Sequence, residues 1–250
     1  MSRPVNSQDL GTMASAARSS SPMAPMDTSS PRAKVEKTGV MYSPFGSEDM
    51  VTMAMGENYV RLAKKKPPYA IILPDDQREE FLANLDSKID EKRQSRNKGV
   101  ALERQSLTHL RQSVTNPLTL SDLDPNNSKL YILGHGDAGD DTLNSGTEHS
   151  ISAKGLAGNL RQLPSNYQDL RALSCNSADK GVSDEAPFAQ HLARSMGATH
   201  PHLTVTGYRG EHMMAPDAHH HEQGNLDGKG VDPNNTVRRS TVKATFRPLK

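Results

Sequence analysis

Apolar positions along the chain recur with two spacings. Phe81, Leu85 and Ile89 stand four apart, and Leu107, Leu110 and Val114 form a second stripe, as on helices with one face turned inward. The first stripe predicts a helix capped by Asp75-Asp76, with Lys and Arg at its far end; the second predicts a helix over Leu102–Val114. Short unbroken apolar runs predict strands: "PPYAIILP" bracketed by prolines, then Leu130–Leu133, Leu170–Ser174 and Leu203–Thr206. Between these lie a helix over Ser152–Leu163, stopped by Pro164, and one over Asp184–Met196, ended by Gly197. Strands that are apolar throughout, alternating with helices, belong to a parallel sheet covered on both faces. The expected fold is therefore a three-layer α/β sandwich with a mostly parallel sheet.

The flanks of this pattern differ. Residues 1–40, rich in Ser, Ala, Pro and Met, have no periodicity and too little apolar surface to offset chain entropy, so they read as a disordered leader. Residues 41–66 read as a linker with a short helix around Tyr59–Lys65, residues 67–211 as the α/β domain, and residues 212–250 as a His-rich loop and a C-terminal strand region. Hydrophobic residues make up only 34% of the chain and there is no Trp, which agrees with sizeable tails around one domain.

Charge and cysteine content narrow the chemistry. With 30 Lys+Arg against 29 Asp+Glu, no overall field draws the chain to nucleic acid or to an anionic membrane, and the expected partner is a protein or a small molecule. One cysteine excludes an intrachain disulfide and a Cys-rich zinc site. No apolar h-region marks the leader and no run of about 18 apolar residues occurs, so the chain reads as made in the cytoplasm, with any export into a host cell independent of a Sec-type signal. A flexible Ser-rich leader is similar to those of injected bacterial effectors.

Two predicted strands end on chemically capable residues. "KLYILGHGDAGDDTL" runs into Gly134-His135-Gly136, and "DLRALSCNSAD" runs into Cys175. In open parallel sheets, sites form beyond the carboxyl ends of strands, so both side chains are expected at the same sheet edge. A thiol attacks as thiolate, and a neighbouring imidazole can take its proton or stabilise its charge. Flanking glycines allow a sharp turn and close substrate approach, and the amides of Gly136 and Cys175 can face a developing oxyanion. Asp137, Asp140 and Asp141 follow His135 and suit a basic substrate residue, whereas Arg209, beyond the fourth strand, suits the opposite preference. The run "HMMAPDAHHHEQG", with His212, His219, His220, His221 and Glu222, lacks the His-Glu-x-x-His spacing of a catalytic zinc helix and reads as a solvated loop. No metal or cofactor is expected.

"LYILGHGDAGDDTL" and "LRALSCNSA" together resemble the His-Gly and Cys strand ends of clan CD cysteine peptidases, the caspase-like fold, and in particular the autoprocessing peptidases of bacterial toxins. The resemblance covers Tyr69 to Glu211, taking in "PFAQHLARSMGA" and "LTVTGYRGE". It implies a cysteine endopeptidase acting on a protein substrate, with Cys175 as nucleophile, His135 as acid/base, Gly136 in the oxyanion hole, and an activator that is a small molecule or a protein. Inositol hexakisphosphate activates the toxin peptidases. Many relatives carry an acid close to the cysteine; here Ser174 precedes it and Asp179 lies beyond, so the dyad has no assigned third member, and Asp179 and Arg209 are the candidate substrate-binding residues. Two rival readings share the fold: a non-catalytic interaction module, and an acyl-transfer enzyme such as a deamidase.

Overall fold

The computed structural model describes residues 37–95, 100–214, 221–224 and 236–248. In chain order the elements are β1 (Thr38–Tyr42), α1 (Glu48–Ala63), β2 (Ala70–Ile72), α2 (Asp75–Gln94), α3 (Val100–Thr115), β3 (Ser128–Leu133), β4 (Thr142–Asn144), β5 (Ser150–Ser152) and α4 (Ala153–Asn159). There follow β6 (Asp169–Leu173), α5 (Phe188–Met196), β7 (Thr204–Tyr208), β8 (Glu211–Met214), β9 (His221–Gly224), β10 (Val237–Arg238) and β11 (Lys243–Phe246). Six strands form one sheet in the order β11-β7-β6-β3-β1-β2, all parallel except β11, which runs antiparallel to β7. Helices α1, α2 and α3 pack on one another, as do α4 and α5, and the two groups flank the sheet. Consecutive residues of β1 and β3 are buried, as expected of strands covered on both faces. This is the mostly parallel α/β architecture that the apolar runs predict.

Several elements differ in extent from their sequence signals. The expected leader lies outside the described residues as far as residue 36, but Thr38 already opens β1, which pairs with β3 on one side and β2 on the other. The expected short helix at Tyr59–Lys65 is the last part of α1, which begins at Glu48. The sheet therefore extends on both sides of the 67–211 stretch, through β1 and β11. Asp75 and Asp76 do not cap α2: Pro74 holds the N-cap position, and the two acids lie in the first turn, where they complement the helix dipole. Helix α5 starts at Phe188 rather than at Asp184, because Pro187 suits a helix start and disfavours helical backbone in the residue before it. Ser152 caps α4 by accepting a bond from the Gly155 amide, and a short 3₁₀ turn, Leu160–Gln162, carries the chain toward Pro164.

Helix α1 is masked in sequence because its inward face is partly polar. Asn58 is fully buried and meets the backbone of Tyr69 twice, accepting from its amide at 2.6 Å and donating to its carbonyl at 2.9 Å. The outward amide of Ile71 donates to Ser113 Oγ of α3, so side chains take up backbone groups at the edge strand β2. Glu57, 4% exposed, accepts from the two terminal guanidinium nitrogens of Arg239 at 2.7 and 3.1 Å. That forked pair ties α1 to the chain just before β11 across most of the sequence.

Removing the cation should deprive the buried Glu57 carboxylate of its forked guanidinium partner. Arg239→Met is expected to lower stability by about 3–5 kcal/mol in urea unfolding, and adding Glu57→Leu should recover most of the loss. Equal destabilisation by the single and double variants would disprove the pairing as the source.

Candidate active site

Strands β3 and β6 are hydrogen-bonded neighbours, in register from Leu130 opposite Leu170 to Leu133 opposite Leu173. His135 and Cys175 each stand two residues beyond the last of these pairs, so the sheet delivers both to one edge at the same level. Beyond β3 the backbone of His135 pairs both ways with Asn144 at the end of β4, at 2.9 and 3.0 Å. Gly134 and Gly136 lie outside the left-handed region, so their use is closeness rather than a sharp turn. A Cβ on Gly134 would lie 3.1 Å from the Leu143 Cβ, and one on Gly136 would lie 3.2 Å from the Cys175 carbonyl oxygen and 3.3 Å from Ser174 Oγ.

The turn that presents Cys175 is held on several sides. Asn176 adopts φ +51°, a left-handed conformation that asparagine tolerates better than most residues. Its amide donates to the Gly210 carbonyl at 2.8 Å, and its own carbonyl accepts from the Asp179 amide at 2.9 Å. Ser177 Oγ donates to the Ala172 carbonyl at 3.0 Å and accepts from the Tyr208 amide at 3.0 Å, stitching the end of β6 to β7. Gly207 makes room for this turn, since a Cβ there would stand 2.7 Å from the Ser177 carbonyl oxygen.

His135, Gly136, Cys175 and Asn176 line one cleft of about 340 Å³, together with Asn144 and the carboxylates Asp137 and Glu211. Cys175 is half-buried. His135 is 39% exposed, and its Nε2 lies 3.5 Å from Oδ2 of Asp49 in the first turn of α1. The Ser174 hydroxyl, beneath Gly136, is buried and makes no hydrogen bond among the described residues. The other sequence candidates are placed differently. Asp179 and Arg209 are not among the residues lining this cleft. The Asp179 carboxylate accepts from the Gly210 amide at 2.7 Å and its carbonyl accepts from the Gly139 amide, so it braces two loops beside the site. Arg209 is exposed, with its amide bonded to the Val242 carbonyl. Of the three aspartates after His135, Asp137 lines the cleft, whereas Asp140 caps the start of β4 through the Thr142 amide and hydroxyl. In the histidine-rich run, residues 215–220, including His219 and His220, lie outside the described residues; His212 falls in β8, and His221 and Glu222 in β9.

Asp49, Asn144, Asn176 and Glu211 were not legible as site residues in sequence. Asn176 alone had a local signal, an asparagine directly after a strand-end cysteine; the others arrive from α1, β4 and β8 through tertiary packing.

A second cleft, of about 280 Å³, opens along the same two strands. Tyr131 of β3 and Arg171 of β6 are register partners and line it, with Lys64, Tyr208, Arg238, Arg239, Ser240 and Lys243. Arg171 bonds Asp169 at 3.0 Å and Arg239 holds Glu57, while Lys64, Arg238 and Lys243 make no ion pair among the described residues. Burial, then the charges of Lys66, Arg238 and Arg239, push the Lys64 ammonium below the usual lysine range, against the pull of Glu57. Burial pushes the phenols of Tyr131 and Tyr208 up, so both stay neutral. The cleft is a concentration of mutually repelling cations.

No family model matches the chain, and no curated protein does. Among the described residues, no helix is long and apolar enough to cross a membrane.

The left-handed turn at Asn176 predicts a residue-specific response. Asn176→Gly should keep stability within about 0.5 kcal/mol, whereas the β-branched Asn176→Val should cost about 1–2 kcal/mol by chemical denaturation. Equal effects of the two substitutions would show that the backbone here does not need this conformation.

Proposed function

We propose that the protein is a cysteine peptidase of the caspase-like type, with Cys175 as nucleophile and His135 as acid/base. The observation that carries this reading is the β3–β6 register, which sets both residues in the walls of one cleft. In the proposed reaction, the imidazole takes the thiol proton and the sulfur attacks the scissile carbonyl, forming a C–S bond and an oxyanion. The C–N bond then breaks as the imidazolium returns the proton to the leaving amine. Water, activated by the imidazole, hydrolyses the thioester and regenerates the thiol. Gly136 lines the same cleft, and its amide is the candidate oxyanion donor.

The reading extends to an activator. The cation-lined cleft has the chemistry to take a polyphosphate, which would relieve the repulsion felt by Lys64 and offer acceptors to the Tyr131 and Tyr208 hydroxyls. Its position supports a link to the candidate site, because Tyr131 and Arg171 lie on the two strands that end at His135 and Cys175. Inositol hexakisphosphate, implied by the resemblance to toxin peptidases, is the ligand to try.

Two measurements test these proposals. At pH 6 a thiol of ordinary acidity, pKa about 8.5, is almost entirely protonated, so a thiolate paired with imidazolium should react with iodoacetamide at least about tenfold faster than a small-molecule thiol. Because Cys175 is the only cysteine, the rate belongs to one site. His135→Ala should remove most of the advantage; a rate indifferent to His135, with and without inositol hexakisphosphate, would favour the interaction-module reading instead. For the activator, inositol hexakisphosphate should raise the melting temperature of the intact chain by several degrees, and a Lys64→Ala, Arg238→Ala, Lys243→Ala triple variant should lose that rise. A rise retained by the triple variant would place the ligand elsewhere.

A further inference from the structure

We propose that Asp49 is the positioning residue for His135, held in place by a backbone cradle at Gly146; its catalytic consequence rests on the peptidase reading above. The His135 Nε2 is shielded from solvent and makes no hydrogen bond among the described residues, and the carboxylate oxygen Asp49 Oδ2 faces it at 3.5 Å. That separation exceeds a normal N–H···O bond but lies within ion-pair range, so a charged imidazole would draw the carboxylate in.

Three contacts fix Asp49 and His135 relative to each other. Ser47, at the N-cap of α1, donates its hydroxyl to the Ser145 carbonyl at 2.7 Å, fastening the start of the helix to the segment after β4. Asn144, the last residue of β4 and next to that segment, is the residue whose backbone pairs both ways with His135. Gly146, at its far end, has φ +79°, and a Cβ there would overlap Asp49 Oδ2 and stand 2.8 Å from Asp49 Cγ. Helix α1 and the imidazole are thus referenced to one short stretch of backbone, Asn144 to Gly146, and the glycine leaves open the space that the carboxylate occupies. With Nε2 turned to Asp49, Nδ1 is the nitrogen assigned to exchange a proton with the Cys175 sulfur.

The test reads the imidazole directly. In full-length protein with ¹⁵N-labelled histidine, the His135 ring signals, assigned by their loss in His135→Ala, should move in Asp49→Asn and remain near their original positions in Asp49→Glu. Alkylation of Cys175 should slow about two- to fivefold in Asp49→Asn, the range for a pair in which Asp49 is 54% exposed, and recover in Asp49→Glu. Gly146→Ala should reproduce the ring shift by displacing the carboxylate, and should add little to Asp49→Ala, because both act through one contact. His135 ring signals unmoved by Asp49→Asn would overturn the proposal, whatever the behaviour of Cys175. Alkylation indifferent to His135→Ala would instead count against the peptidase reading while the ring shift still reports on Asp49.

Discussion

The parallel pairing of β3 with β6 is the constraint on which the site depends. Side chains alternate along a strand, so a one-residue slip in this register would send either His135 or Cys175 toward the opposite face of the sheet. The register is protected by burial: Leu130, Ile132, Leu133, Leu170 and Ala172 are all essentially inaccessible to solvent, and a slip would force this apolar set out of its packing. The core thus sets the relative placement of two polar residues that lie outside it. The same pairing opposes Tyr131 and Arg171, so the basic cleft and the candidate active site share one structural reference.

Beyond the strand ends, polar groups take over from apolar packing. Ser177 supplies through its hydroxyl both a donor to Ala172 and an acceptor for Tyr208, where the parallel ladder has ended. The paired backbones of His135 and Asn144 do the equivalent for the histidine. These bonds tie the loop residues beyond the strand ends back to the sheet, as the proposed nucleophile and base would require because proton transfer tolerates little error in distance. Buried polar groups elsewhere follow the same rule: Asn58 answers the backbone of Tyr69, and Glu57 answers Arg239.

Charge is distributed unevenly although the chain as a whole is nearly neutral. Carboxylates of Asp49, Asp137 and Glu211 gather around His135 and Cys175, whereas cations gather around Tyr131 and Tyr208. Local fields of opposite sign therefore act at the two clefts, and net charge gives no indication of either.

Local periodicity was enough to recognise the α/β class, helices α2 and α3, strands β3, β6 and β7, and the two strand ends that carry His135 and Cys175. These are short-range properties: a buried strand in a parallel sheet must be continuously apolar, and a helix with one buried face must repeat near every fourth residue. Strand β1 escaped notice because its apolar run is brief and sits beside the aperiodic leader, and α1 because Glu57 and Asn58 interrupt its buried face. Burying those two residues is tolerable because Arg239 and the Tyr69 backbone meet their polar groups, and no local pattern announces a partner so distant in sequence. The approach of Asp49 to His135 and the choice of β6 as neighbour of β3 likewise required the tertiary structure. The sequence alone determined which residues had the chemistry; packing and long-range hydrogen bonds decided which of them meet.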